Sequence, residues 1–142
     1  CGCGILGGIQ AGETTMFSHV TIGSNDVGRA KPFYDALLQP LGLVRHMDYP
    51  NAVGYGPADG RPQLWILSPI DKQAASVGNG ITIGLEAPNR SAVDAAYKAA
   101  LDAGGKDEGA PGLRAHYHPN YYGAYLRDLD GNKICVVCHR KA

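Results

Sequence analysis

The order strand, helix, strands occurs twice in this chain, and that duplication restricts its fold more than any single motif. Residues 17–23, FSHVTIG, alternate as a strand does. In the stretch that follows, SNDVGRAKPFYDALLQPLG, Asn25 or Asp26 can cap a helix. Val27, Ala30, Phe33 or Tyr34, Leu37 and Leu41 then recur at helical spacing before Gly42 stops it. Pro32 removes a backbone donor, which predicts a kink or a helix that begins in earnest near Lys31. Three strand candidates follow, LVRHMDY, NAVGYG and PQLWILS, separated by Pro, Asn, Gly and Asp.

The second half repeats the order. GITIGLEA reads as a strand, and PNRSAVDAAYKAALDAGG as a helix with Asn89 as its cap. Val93, Tyr97, Ala100 and Leu101 form its apolar stripe, and Gly104-Gly105 its stop. KDEGAPGLRAHYHPN reads as a loop, and YYGAYLRDLDGNKICVVCH as a hairpin turning at Asp130-Gly131-Asn132, residues that tolerate positive φ. Two βαβββ modules result, about 16–70 and about 79–140, within a single domain over 16–142. If each helix covers one face of its sheet, the two bare concave faces turn toward one another around a central pocket.

At 142 residues and 44% hydrophobic content, the chain can bury the core that one such domain needs. Lysines and arginines number 13 and so do the acids, and no basic stripe is present, which argues against nucleic acid as a partner. No apolar run approaches the ~20 residues of a membrane span, so no membrane partner is expected and a cytoplasmic location is. Residues 1–15, rich in glycine and lacking a basic flank, read as a flexible leader or non-native extension rather than a signal peptide, with Met16 as the original start.

The four cysteines form two close pairs, Cys1 with Cys3 and Cys135 with Cys138, unlike the dispersed framework of a secreted disulfide protein. They read as reduced thiols. Cys135 and Cys138 lie three apart in a strand-like run, so they project to opposite faces and cannot share a metal.

The phrases FYDALLQPLG, GAPGLRAHYHPNYY and RDLDGNKI, occurring together and in this order, resemble the vicinal oxygen chelate superfamily, the glyoxalase, bleomycin-resistance and extradiol dioxygenase group. The resemblance covers residues 16–140. It implies an α+β fold of paired βαβββ modules forming a curved mixed sheet around the pocket, and a homodimer. It also implies four metal-facing positions, which here match His19, Gln63, Thr82 and Cys135. Where the family usually has a second His, this chain has Thr82, or Gly80 in another register, and where it usually has Glu there is Cys135. A hydroxyl is a weak ligand and a thiolate a soft one, so the set is degraded. No cofactor is assigned; a divalent Zn, Ni, Mn or Fe ion held by His19, Gln63 and Cys135 is the alternative.

Each candidate has a structural reading beside its functional one. His19 is a ligand, an acid or base, or a hydrogen-bonded pocket histidine. Cys135 is a small apolar filler, or else a soft ligand or reactive thiol. His116 and His118 share a face if extended, and could hold a metal or, with Tyr121 and Tyr122, shape a pocket wall and serve as an acid or base. Trp65 and Tyr55 either stack a planar ligand or fill core, and Arg114 either meets an anion or is solvated. The expected function is that of a small-molecule pocket binding a small organic ligand. The alternative is a divalent-metal-dependent lyase, isomerase or dioxygenase of the same superfamily.

Overall fold

A computed structural model describes residues 15–142. Residues 1–14, with Cys1 and Cys3, lie outside the described residues, so of the expected leader only Thr15 is described. Module one runs β1 (Val20–Gly23), α1 (Val27–Leu38), a short 3₁₀ turn (Gln39–Leu41), β2 (Leu43–Tyr49), β3 (Ala52–Pro57) and β4 (Leu64–Leu67). Module two runs β5 (Ile83–Glu86), α2 (Arg90–Asp102), β6 (Lys106–Leu113), β7 (Tyr122–Arg127) and β8 (Lys133–Cys138). Each module makes one four-stranded sheet, ordered β1-β4-β3-β2 and β5-β8-β7-β6. In both, the strand that precedes the helix pairs parallel to the last strand, and the other pairs are antiparallel. The duplication read in the sequence is a duplication of topology, and the α+β fold of two βαβββ modules is what the chain adopts.

Asp26 caps α1 by accepting the Arg29 amide at 3.0 Å, and Asn89 caps α2 by accepting the Ala92 amide at 2.8 Å. The helix α1 starts at Val27 rather than near Lys31, with Pro32 inside it. Pro32 falls early, in the second turn. The Asp26 cap and the burial of Val27 and Ala30 hold the turn before it, so the one missing bond does not break the helix. The second expectation to change is the loop at 106–120, whose first eight residues form β6. Gly109, Pro111 and Gly112 hid that strand, and they mark its irregularity, for the pairing with β7 shifts register on either side of Gly109.

The two helices pack on one another as well as on their own sheets. On α1 the buried side chains are large, Phe33, Tyr34, Leu37 and Leu38 among them, while on α2 they are small, Ala92, Ala96 and Ala100 beside Val93. Large against small lets the axes approach closely. Phe33 also reaches Gly105, where any Cβ would stand 2.9 Å from its ring. One apolar cluster thus spans both modules. This arrangement turns the helix-bearing faces toward each other, where the sequence reading had the bare faces meeting, and opens a cavity where the edge strands β1 and β5 come near one another.

A second joint is polar. Asp128, 5% exposed at the β7–β8 turn, accepts the Tyr34 hydroxyl at 2.5 Å, the Asp130 and Asn132 amides at 3.0 and 2.8 Å, and the Asn132 side-chain amide at 2.9 Å. That same Asn132 amide donates to the Gly23 carbonyl at 3.1 Å, and Asp130 accepts the Asn25 amide at 2.8 Å. Burial, followed by the Asp128 charge, holds the Tyr34 phenol well above its usual range and therefore neutral, as a donor must be.

Candidate functional site

His19 and Gln63 stand at the starting ends of β1 and β4, where Val20 pairs with Leu64 and the Val20 amide donates to the Gln63 carbonyl at 2.9 Å. Parallel pairing in that register places the two side by side, and both line a cavity of about 260 Å³ at the seam between β1 and β5. The strands begin at Val20 and Leu64, later than alternation alone suggested, so both residues precede regular structure. Its walls are mostly apolar, with Val20, Leu43, Leu64 and the ring of Tyr55 from module one and Ile83 and Leu85 from module two. The polar groups at its rim are His19, Gln63, Ser18 and Glu86. The Ser18 hydroxyl is 2.9 Å from His19 Nδ1, which orients the ring.

Tyr55 is fixed from below. Its hydroxyl donates to Asp35 at 2.8 Å, with the Lys31 carbonyl 3.1 Å away, and burial, then the Asp35 hydrogen bond, raises its pKa. Arg45, Asp48 and Lys31 extend this network across the face of α1. A neutral, immobile phenol ring makes a firm cavity wall.

The remaining sequence candidates lie elsewhere. Trp65 sits over Gly54, where a Cβ would be 3.0 Å from the ring, so the indole occupies the space a side chain would take on β3. Thr82 is exposed just before β5 and does not line the cavity. Arg114 donates to the Gly112 and Ala110 carbonyls, both at 2.9 Å, and lies over the Tyr125 ring, so its donors serve its own loop. His116 and His118 share no extended face, because residues 115–121 fold into turns around Pro119, closed by the Tyr117 and Tyr121 amides. His116 is exposed beside Tyr117. His118 instead meets His139, with Nε2 and Nδ1 2.8 Å apart. The Asn120 amide donates to His118 Nδ1, so His118 carries its proton on Nε2 and gives it to His139.

Tyr121 and Tyr122 point to opposite sides of their sheet, as neighbours in extended chain do. Tyr122 donates to Asp94 of α2 at 2.6 Å with Arg90 over its ring, and so belongs to the helix side rather than to a wall shared with Tyr121. Tyr121 joins Cys135 and Tyr125: its hydroxyl is 2.7 Å from the Tyr125 hydroxyl and 3.4 Å from the Cys135 sulfur. Cys135 is 3% exposed under these rings. Burial, then the Tyr121 hydrogen bond, raises the Tyr125 pKa, and burial likewise raises that of Tyr121, so both phenols are neutral.

The sequence profile of the Glyoxalase/Bleomycin resistance protein/Dioxygenase superfamily matches residues 16–136. The chain belongs to this superfamily. A solved glyoxalase/bleomycin resistance protein from Albidiferax ferrireducens T118 is 41% identical, with 89% of this chain and 100% of that one covered at a TM-score of 0.79. A glyoxalase-related enzyme from Fulvimarina pelagi, 16% identical with 88% of each chain covered (TM-score 0.65), shares the fold. So does a lactoylglutathione lyase from Agrobacterium tumefaciens, 19% identical with 89% of this chain and 95% of that one covered (TM-score 0.59). No curated protein matches the sequence.

Members of this superfamily often use divalent metals, and the donor set can be tested against that. Among the described residues, no three His, Cys, Asp or Glu side chains converge in a way that could hold a metal ion. His19 and Gln63 share the cavity, but the chain's Cys135 lies in the tyrosine cluster and Thr82 outside the lining. Within one chain the four family positions do not make a ligand set that fits a metal.

Sequence reasoning missed Glu86 and Tyr125. The signal for Glu86 was present: in GITIGLEA, Ile83 and Leu85 take the core side and leave Gly84 and Glu86 on the other. Tyr125 was detectable only as the cross-strand partner of Cys135, a register that needs the hairpin.

Proposed function

We propose that this superfamily member holds a small, partly apolar organic molecule in the seam cavity, without a resident metal ion. The observation that carries the reading is the cavity itself: apolar walls from both modules with His19 and Gln63 side by side at one end. His19 and Gln63 orient the guest's polar group by hydrogen bonds, and the apolar walls receive its body. We also propose that the chain works as a homodimer. Val44, Met47 and Tyr49 on the edge strand β2 are exposed, which supports self-association.

The test is a thermal-shift screen of small aromatic compounds, with metal content measured on protein purified without chelator. A compound that binds the native state raises the midpoint. The expected result is at least one such compound, a diminished shift in His19→Ala, a lost shift in Gly84→Leu, and substoichiometric metal. At Gly84 a Cβ meets open space, so a leucine there can intrude on the cavity without clashing. Stoichiometric Zn, Ni, Mn or Fe that disappears in His19→Ala would instead establish the metal-dependent lyase, isomerase or dioxygenase reading, which the adjacent nitrogen and oxygen donors of His19 and Gln63 keep alive. Light scattering decides the dimer, which a monomeric mass at working concentration would remove.

A further inference from the structure

The cavity's charge is one-sided. Of the residues that line it, Glu86 alone bears a carboxylate, and none is a lysine or arginine. None of the ion pairs among the described residues uses Glu86. Asp35, Asp48, Asp102 and Glu108 are each matched with a cation; Glu86 differs from the other unpaired acids in lining this cavity. A carboxylate at the rim of an apolar cavity acts through a medium less polarisable than bulk water, and so favours an opposite charge there. Phe17 and Tyr55 in the same lining are aromatic, a residue type whose ring face attracts cations rather than anions.

We propose that the seam cavity selects a small organic cation, an amine on an apolar body, with Glu86 as its counter-charge. This rests on the cavity being a ligand site. The apolar body lies against Leu43, Leu64, Ile83 and Leu85, and the ammonium group donates to the Glu86 carboxylate and the Gln63 side-chain oxygen. The cavity, at about 260 Å³, suits a single ring with a short side chain better than a fused system.

A matched pair of probes tests it. Benzylammonium and benzyl alcohol have the same apolar body and differ in the charge of one group; benzoate reverses the charge. Titrations monitored by protein NMR at neutral pH and low salt should show benzylammonium binding about tenfold more tightly than benzyl alcohol, with benzoate weakest. In Glu86→Gln, benzylammonium and benzyl alcohol should bind within about twofold of each other, and in Glu86→Lys benzoate should become the preferred probe. Circular dichroism and unfolding midpoints establish that both variants fold, since Glu86 is exposed at the end of its strand. Equal binding of benzylammonium and benzyl alcohol to the native protein, with shifts at His19 and Gln63, would overturn the selectivity while leaving the ligand site standing. A preference for the amine that survives in both variants would also overturn it. Binding of no probe, with no aromatic hit in the thermal screen, would overturn the ligand site and the selectivity together.

Discussion

Modules one and two share an order of elements, a strand arrangement and a capped helix, yet they spend the same positions differently. In module one, the ends of β1 and β4 carry His19 and Gln63 to an open cavity. In module two the matching family positions fall otherwise: Thr82 stands exposed before β5, and Cys135 on β8, paired with Gly84, is sealed under Tyr121 and Tyr125. Topology and chemistry thus separate after duplication: the backbone ladder fixes where a side chain stands, and the side chain's own bonding decides whether that place faces a ligand or is closed.

The modules differ again in how they are tied together, and breaking that tie has the largest expected effect. Module two contributes Asp128, whose carboxylate gathers four donors, and module one contributes Tyr34 to meet it. Asp128→Ala leaves those donors buried without an acceptor and is expected to lower the unfolding free energy by about 3 to 5 kcal/mol. Urea denaturation measures this. A loss below about 1 kcal/mol would mean that the helices alone join the modules.

The helix pair gives the next effect. Ala96 on α2 is fully buried beneath the large side chains of α1. Ala96→Leu is expected to destabilise by about 1 to 3 kcal/mol through overpacking, and a larger α1 residue cut down in the same background, Leu37→Ala, should recover part of the loss. A double-mutant cycle that showed strict additivity would separate the helices in space.

Alkaline pH sharpens the comparison through the phenols. Tyr34 and Tyr55 in module one and Tyr125 in module two all have pKa values raised above their ordinary value of 10.0, each chiefly by burial. A group whose pKa is raised on folding contributes stability that is complete below its unfolded pKa and is lost as pH rises past it, so stability should be flat below about pH 10 and fall above. Tyrosinate absorbance should appear with unfolding for these three rings. Tyr34→Phe, which removes one of them along with a hydrogen bond worth about 1 kcal/mol, should make the alkaline fall shallower.

The smallest effect is expected at Cys135. Cys135→Ser exchanges one weak hydrogen-bonding group for another beneath Tyr121, and should change stability by no more than about 1 kcal/mol and leave cavity binding unaltered. Altered ligand binding in that variant would connect the tyrosine cluster to the cavity and join what the two modules keep apart.

Much of the fold was legible because its signals are local. Asp26 and Asn89 announce their helices three residues ahead of the amides they accept, and the alternation of LVRHMDY and YGAYLR marks strands without reference to the rest of the chain. β6 was not legible, since Gly109, Pro111 and Gly112 lower its own strand propensity and only pairing with β7 makes it one. The site divides the same way. His19 and Gln63 could be named because the family resemblance places metal-facing positions beside two strands whose patterns are readable. Local turns through Pro119 took His116 and His118 out of line, and the side of the sheet that Tyr122 takes is read only from its bond to Asp94, 28 residues earlier. Asp128 reads in sequence as one more turn acid in RDLDGNK, and its burial follows only from Tyr34, 94 residues earlier.

Titration of an aromatic ligand from the thermal screen, before and after exhaustive dialysis against EDTA, bears most directly on the central claim that apolar shape rather than a bound ion holds the guest. Unchanged affinity, with chemical-shift changes centred on His19, Gln63 and Ile83, is the predicted result. Affinity that vanishes with chelation and returns with one equivalent of a divalent ion would contradict it.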